Sequence, residues 1–333
     1  VENASNLLTK KLEWGRLAAY LEQSTRYIYF DQKDANGKYR YYTPDHLPAK
    51  MQKRYNEVMD QIFDLYSDMV HKLTDYVREH SSVPEGERDV AFTGATRAQA
   101  CDAVRAVLPV ATKSTVGIYA SGQALESLIM HLQSDELPEA RLTGDKILAE
   151  ARNVIPTFLE RADKPERGGA LIAYRANTYK AMKNLTAKAL PNNQGSLDED
   201  VQLVDYWPRN ELDLLPHMLY EHSNMSLRDL EKTVATWSYE QKLEVYKTYM
   251  GERLNRRHRP SRALEIAHYS WDLLCDYGIF RDLQRHRMVD AFDWQQLTPR
   301  YGFDVPEIAE KAGLSDDFEK CFDLSTELYS ELQ

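Results

Sequence analysis

The sequence predicts a helix-rich α+β fold with small antiparallel sheets, and three observations lead to it. Apolar residues recur every three or four positions in several long stretches, short aromatic or β-branched runs stand beside turn signals, and one arrangement of motifs occurs near both ends of the chain. With 333 residues, 43% of them hydrophobic and 28% charged, the chain has ample material for a packed core, which argues against disorder.

In order along the chain, a helix is expected up to about residue 27, then a short aromatic strand at Tyr27-Ile28-Tyr29-Phe30. Asp34-Ala35-Asn36-Gly37 reads as a turn that returns a hairpin through Tyr39-Arg40-Tyr41-Tyr42. From Pro48 to Glu79, Val58, Ile62, Leu65, Met69 and Leu73 mark a long amphipathic helix. After the break at Ser81 to Gly86, Thr96 is expected to cap a helix that runs to Pro109, with further helices over 121–133 and 142–161. Gly168-Gly169 reads as a flexible joint, and Pro191 to Ser196 as the best linker. The expected division is 1–165 for a first copy, 166–200 for a linker and 201–333 for a second copy. In the second part, Val201 to Tyr206 opens as a strand, and helices follow over 209–221, 226–234 and 238–253. Ala267, Tyr269, Trp271 and Leu273 then share one face of an extended segment before helix resumes near Gly278.

The repeat rests on the two ends. Arg26-Tyr27 precedes an aromatic run, a proline and a helix bearing Phe63-Asp64-Leu65-Tyr66. Arg300-Tyr301 precedes Phe303, Pro306 and a helix bearing Phe322-Asp323 and Leu328-Tyr329. The offsets are 274 (300 − 26) and 263 (329 − 66), so the later copy lacks about eleven residues, the length of the hairpin. A chain with this arrangement reads as a window of a longer tandem protein, folded as a pseudo-dimer.

Composition excludes several classes. A formal charge of −10 opposes non-specific binding to nucleic acid. The three cysteines, Cys101, Cys275 and Cys321, have no metal-ligand spacing and read as structural, while His217 and His222 are five residues apart and do not share a helix face, so no metal site is expected. No apolar run reaches the ~18 residues of a membrane span, and the first residues form no secretory signal, which makes the cytoplasm the expected compartment.

Two clusters could carry chemistry. Gln284-Arg285-His286-Arg287, at the end of an expected helix, gathers two guanidinium forks and a ring donor, a set suited to phosphate, pyrophosphate or an electron-rich cofactor ring, or to a solvated helix end. In Glu22-Gln23-Ser24-Thr25-Arg26-Tyr27, an extended chain would put Glu22, Ser24 and Arg26 on one face, where a hydroxyl and a guanidinium can grip a phosphate; an edge-strand polar face is the alternative.

Together the clusters resemble the signature of the flavin-dependent thymidylate synthases, R-H-R-x-x-S-x-N-E-x-S-x-R-Y. The first copy keeps Arg16, Glu22, Ser24, Arg26 and Tyr27 but has Trp14 and Gly15 for the first Arg-His; the second keeps Arg285, His286, Arg287, Arg300 and Tyr301, with Gln296 and Thr298 at the Glu and Ser places and about three extra residues between. Three further segments resemble family elements: His258 to Glu265, Ala103 to Pro109 and Ala124 to Ile129.

The resemblance implies a homotetrameric α+β fold, FAD bound between subunits, and reductive methylation of dUMP to dTMP with methylenetetrahydrofolate and NADPH. By carry-over, Arg285, His286, Arg287, His258 and Glu265 would contact the flavin, and Glu22, Ser24, Arg26 and Arg300 the nucleotide. No catalytic residue is assigned; a homo-oligomer or pseudo-tetramer is expected. Gln123 replaces a nucleotide-contacting arginine, and Asp282 replaces a glutamine three positions before the Arg-His-Arg, where it would repel an anion.

Overall fold

The computed structural model describes residues 1–190 and 199–332. In chain order the elements are β1 (Ala4–Ser5), α1 (Asn6–Leu12), β2 (Ala18–Glu22), α2 (Ala49–Glu79), α3 (Val90–Val104), β3 (Lys113–Ser114), β4 (Val116–Ala120), α4 (Gly122–Gln133), α5 (Pro138–Arg152) and α6 (Gly168–Ala189). Then come β5 (Val201–Trp207), α7 (Leu215–Tyr220), α8 (Leu227–Ala235), α9 (Tyr239–Met250), β6 (His268–Leu273), α10 (Tyr277–Leu283), α11 (Glu307–Lys311) and α12 (Ser315–Leu332). The expected class holds: helices dominate, and β1–β3, β2–β4 and β5–β6 are three antiparallel pairs. Among the described residues no helix is long and apolar enough to cross a membrane.

The chain divides into two compact units, Val1–Asn193 with Asp276–Gln333, and Gln194–Cys275. This differs from the division read in the sequence, because residues from Asp276 onward pack with the first part of the chain. The stretch 166–200 is also no simple linker, since α6 occupies much of it; Pro191 to Ser196 lies outside the described residues. At the start of α6, a Cβ on Gly168 would meet the Ala162 carbonyl oxygen at 2.0 Å. Gly168 therefore serves close backbone approach, not a flexible joint.

In the larger unit, α2 buries Val58, Ile62, Phe63, Tyr66, Met69 and Leu73 along one stripe, as the periodicity predicts. Against it lie Ala100, Cys101 and Val104 of α3 and Phe318, Cys321 and Leu328 of α12. Burial pushes the Cys101 thiol up to about 11 and the Cys321 thiol to about 12, so both remain protonated packing groups at neutral pH. A second core joins Leu8 and Leu12 of α1 to Val116, Leu128, Leu132 and Ala140. The smaller unit has its own core of Leu214, Leu215, Met218, Val234 and Ala263 beside the β5–β6 pair.

Several local expectations fail for identifiable reasons; the helix expected up to about residue 27 ends at Leu12, because Ala18–Glu22 pairs with β4 as β2. The aromatic run Tyr27 to Phe30 is not a strand: Phe30 is buried in the core beside α2, and Tyr29 Oη bonds Thr74 Oγ1 at 2.9 Å. The Asp34 to Gly37 turn exists, with Gly37 at φ +75°, but the returning Tyr41 pairs with Thr112 while its ring lies tilted against Phe63. Helix packing thus uses the aromatic alternation that sequence alone assigns to a hairpin. The helix expected to start at Thr96 starts at Val90, because the Asp89 side chain accepts the Phe92 N–H at 2.8 Å, and Thr96 instead bonds back to the Phe92 carbonyl. Asp89→Ala is expected to lower stability by about 1 kcal/mol, measured by urea denaturation; an unchanged midpoint would place the cap elsewhere.

Candidate functional site

α1 is a seven-residue helix capped by Ser5, whose Oγ accepts the Leu8 N–H at 3.0 Å. Its inner face carries Lys10, fully buried, and the chain then turns through Trp14 and Gly15 into β2, which pairs with β4 from Ala18↔Ala120 to Glu22↔Val116. Pairing fixes where β2 ends, and so sets Glu22 over Lys10. α10 begins on the Asp276 cap and lies against the same region, with Tyr277 Oη donating to the Asn6 carbonyl at 2.8 Å and Gln284 Nε2 to the Lys10 carbonyl at 2.6 Å.

Glu22 is the centre of this junction. Its carboxylate accepts from Lys10 Nζ at 2.9 Å, Thr9 Oγ1 at 2.9 Å and Arg281 at 3.1 Å, while Arg285 stands 4.0 Å away. Lys10 also pairs with Glu13 at 2.5 Å. Burial by itself would push Glu22 up, but Lys10 and Arg281 outweigh it and hold the carboxyl below its ordinary value. Burial, with the Glu22 charge beside it, pushes Glu13 the other way.

Arg26 takes a different direction. Beyond β2 the chain turns, with Ser24 Oγ accepting the Arg26 N–H at 3.1 Å, so Glu22, Ser24 and Arg26 do not share one strand face as the extended reading required. Arg26 instead reaches Asp102 at 3.0 Å and Asp282 at 3.3 Å. Asp102 also binds Arg105 at 2.9 Å, and Asp282 binds Arg285 at 3.5 Å. The adjacent residues Arg281 and Asp282 of α10 therefore connect the two ends of the Glu22 to Arg26 segment. The junction holds five cations (Lys10, Arg26, Arg105, Arg281, Arg285) against four carboxylates (Glu13, Glu22, Asp102, Asp282), leaving one positive charge in excess.

Arg285, His286 and Arg287 are exposed at the end of α10, and among the described residues the side chains of His286 and Arg287 make no hydrogen bond. Arg287 lies close enough to Tyr20 for its charge to act on the phenol. Beside them the buried Nε of Arg281 and Oε1 of Gln284 lack partners. The exposed forked donors Arg285 and Arg287 have spare capacity for an anionic, acceptor-rich group.

The remaining expected site residues make local contacts. His258 and Glu265 belong to the smaller unit and make local contacts, His258 Nδ1 accepting the Leu254 N–H at 3.3 Å and Glu265 binding Arg262 at 3.0 Å. Arg300 lies in the larger unit, its N–H donating to Thr298 Oγ1 at 3.2 Å and its guanidinium over the Tyr301 ring. Sequence reasoning missed Lys10, Asp102 and Arg281. Lys10 and Arg281 each stand four residues before the place of the first arginine in the Arg-His-Arg, Trp14 and Arg285, a spacing that aligning the two motif-bearing segments would have exposed. Among the described residues no cluster of histidine, cysteine and carboxylate side chains could hold a metal ion.

In this helix-rich α+β chain, segments near both sequence ends converge on one cluster that pairs a buried carboxylate with clustered, partly exposed arginines. Residues 1–157 match the model of the Thy1 family, described as thymidylate synthase complementing protein. It is similar over its whole length to a UPF0159 protein of Chlamydia pneumoniae, at 31% identity covering 63% of that relative. A UPF0159 protein of Chlamydia muridarum is 28% identical over 99% of this chain and 62% of its own, and one of Thermoplasma acidophilum is 26% identical over 96% and 66%. The chain thus spans somewhat less than two thirds of the first two relatives.

Proposed function

We propose that this protein is a FAD-dependent thymidylate synthase that methylates dUMP reductively to dTMP with methylenetetrahydrofolate and NADPH, at a composite site drawn from both ends of the chain. One observation carries the reading: α10, which leads into Arg285-His286-Arg287, is bound to the Glu22 to Arg26 segment through Arg281–Glu22 at 3.1 Å and Asp282–Arg26 at 3.3 Å. Each segment keeps the part of the family signature that the other lost.

In this reading Arg285, His286 and Arg287 hold the flavin, and Ser24 and Arg26 hold the nucleotide phosphate. Glu22 positions the junction by tying α1 to α10. FAD, when bound, supplies the hydride chemistry, so no cysteine nucleophile is needed. His258, Glu265 and Arg300 keep the flavin and nucleotide roles carried over from the family, and self-association as a homo-oligomer or pseudo-tetramer completes the site.

A second reading, a non-catalytic flavin- or nucleotide-binding member of the family, draws support from Arg26, whose guanidinium is already shared by two carboxylates, and from Gln123 in place of an arginine. The absorption spectrum of the full-length protein, with FAD and then dUMP added, separates the two. A flavin spectrum perturbed by dUMP, with turnover on adding methylenetetrahydrofolate and NADPH, is expected. Bound flavin without deoxyuridylate-dependent oxidation would favour the second reading, and no flavin at saturation would refute both as flavoproteins.

A further inference from the structure

The two ends of the chain share local geometry as well as motifs. α1 and α10 are each seven residues long and stand at a constant offset of 271 (277 − 6 and 283 − 12). Their caps, Ser5 and Asp276, keep that offset, and each accepts the N–H three residues on, from Leu8 and Ile279. The following turn also repeats: Ser24 Oγ accepts the Arg26 N–H at 3.1 Å, and Thr298 Oγ1 the Arg300 N–H at 3.2 Å.

The helices meet through equivalent residues. Tyr277, the counterpart of Asn6, donates to the Asn6 carbonyl, and Lys10 and Arg281, also counterparts, both bind Glu22. Contact between a residue and its own equivalent is what a local two-fold relation produces. Such a relation generates two composite clusters, one with Arg285, His286 and Arg287 beside Glu22 and Arg26, and a mate with the positions exchanged.

The mate is built differently. Trp14 and Gly15 stand where Arg285 and His286 would, and Gln296 stands where Glu22 would. Trp14 stacks on Trp294 at 6.5 Å and on His131 at 6.5 Å, and Phe280 stacks on Trp294 at 4.3 Å with the rings 2° apart. Arg16, the counterpart of Arg287, donates to the Asp290 carbonyl at 2.7 Å, and Gln296 to Glu136 at 3.2 Å. Stacked rings and a protein carbonyl therefore occupy the donors' places.

We infer that the chain carries one anionic-cofactor site, and that its symmetry mate has become an aromatic plug that holds the 290–296 segment on α1. The inference rests on the flavin reading above for the identity of the ligand, and it predicts one FAD bound per full-length chain.

The test combines a spectroscopic FAD titration with thermal denaturation of two variants at equivalent positions. One FAD per chain is expected, together with a fall in Tm of about 3 °C or more for Trp14→Ala and no fall for Arg285→Ala, which instead weakens FAD binding by tenfold or more. Two FAD per chain would overturn the inference while leaving the proposed function standing. If no FAD binds, the proposed function fails and the Tm comparison still decides: an unchanged Tm for Trp14→Ala overturns the plug, and a selective fall upholds it.

Discussion

Glu22→Gln is expected to destabilise the larger unit by about 3–5 kcal/mol, the loss typical of removing one partner from a buried ion pair. Lys10 is fully buried and would keep only Glu13, while Arg281 would lose its carboxylate and retain an Nε that already lacks an acceptor. The measurement is the urea midpoint at pH 7. A loss under 1 kcal/mol would mean that solvent reaches these cations and that Glu22 does not tie α1 to α10.

The pH dependence follows from the direction of the shift. Glu22 is held below its ordinary value of 4.5, so its contribution is complete above that value and is lost as pH falls through the lower, folded value. Glu13, raised by burial and by Glu22, acts in the opposite sense and gains stability as pH falls from its folded value toward 4.5. Wild-type Tm should therefore drop more steeply than that of Glu22→Gln at acid pH. A double-mutant cycle with Glu13→Gln separates the two carboxyls, and parallel Tm curves would contradict the assignment.

Arg26→Ala is expected to lower kcat/KM for dUMP about 100-fold, the equivalent of ~2.7 kcal/mol, with most of the effect in KM and little change in FAD affinity. Arg287→Ala should instead cut FAD affinity. Asp282→Asn provides the converse test, because releasing Arg26 from one of its two carboxylates should tighten dUMP binding severalfold. Full activity in Arg26→Ala would end the composite-site reading, and dUMP binding unaffected by Asp282→Asn would show that the carboxylates do not compete with phosphate.

Much of the fold was legible because it depends on local periodicity. The stripe from Val58 to Leu73 is fixed by helical spacing, and the extended runs at 201–206 and 267–273 were visible as strand segments, though their pairing was not. The Arg-His-Arg and the Glu-x-Ser-x-Arg were also visible, since residue type and spacing alone mark them as donors and acceptors. Boundaries were less legible: capping at Asp89 rather than Thr96 is a choice between two competent side chains that only the surrounding packing makes.

Residue order alone sets the helix-rich class and the charged residues on hand for a site. The tertiary structure decided their partners. Glu22 and Arg26, four residues apart, point to different counter-ions because β2 stops at its pairing with Val116 and the chain then turns. Arg281 and Asp282 reach them across more than 250 positions of sequence because Asp276 onward packs with the first part of the chain. Local propensity acts over a few residues, whereas ion pairing depends on distance in space, and only the packed core sets that distance.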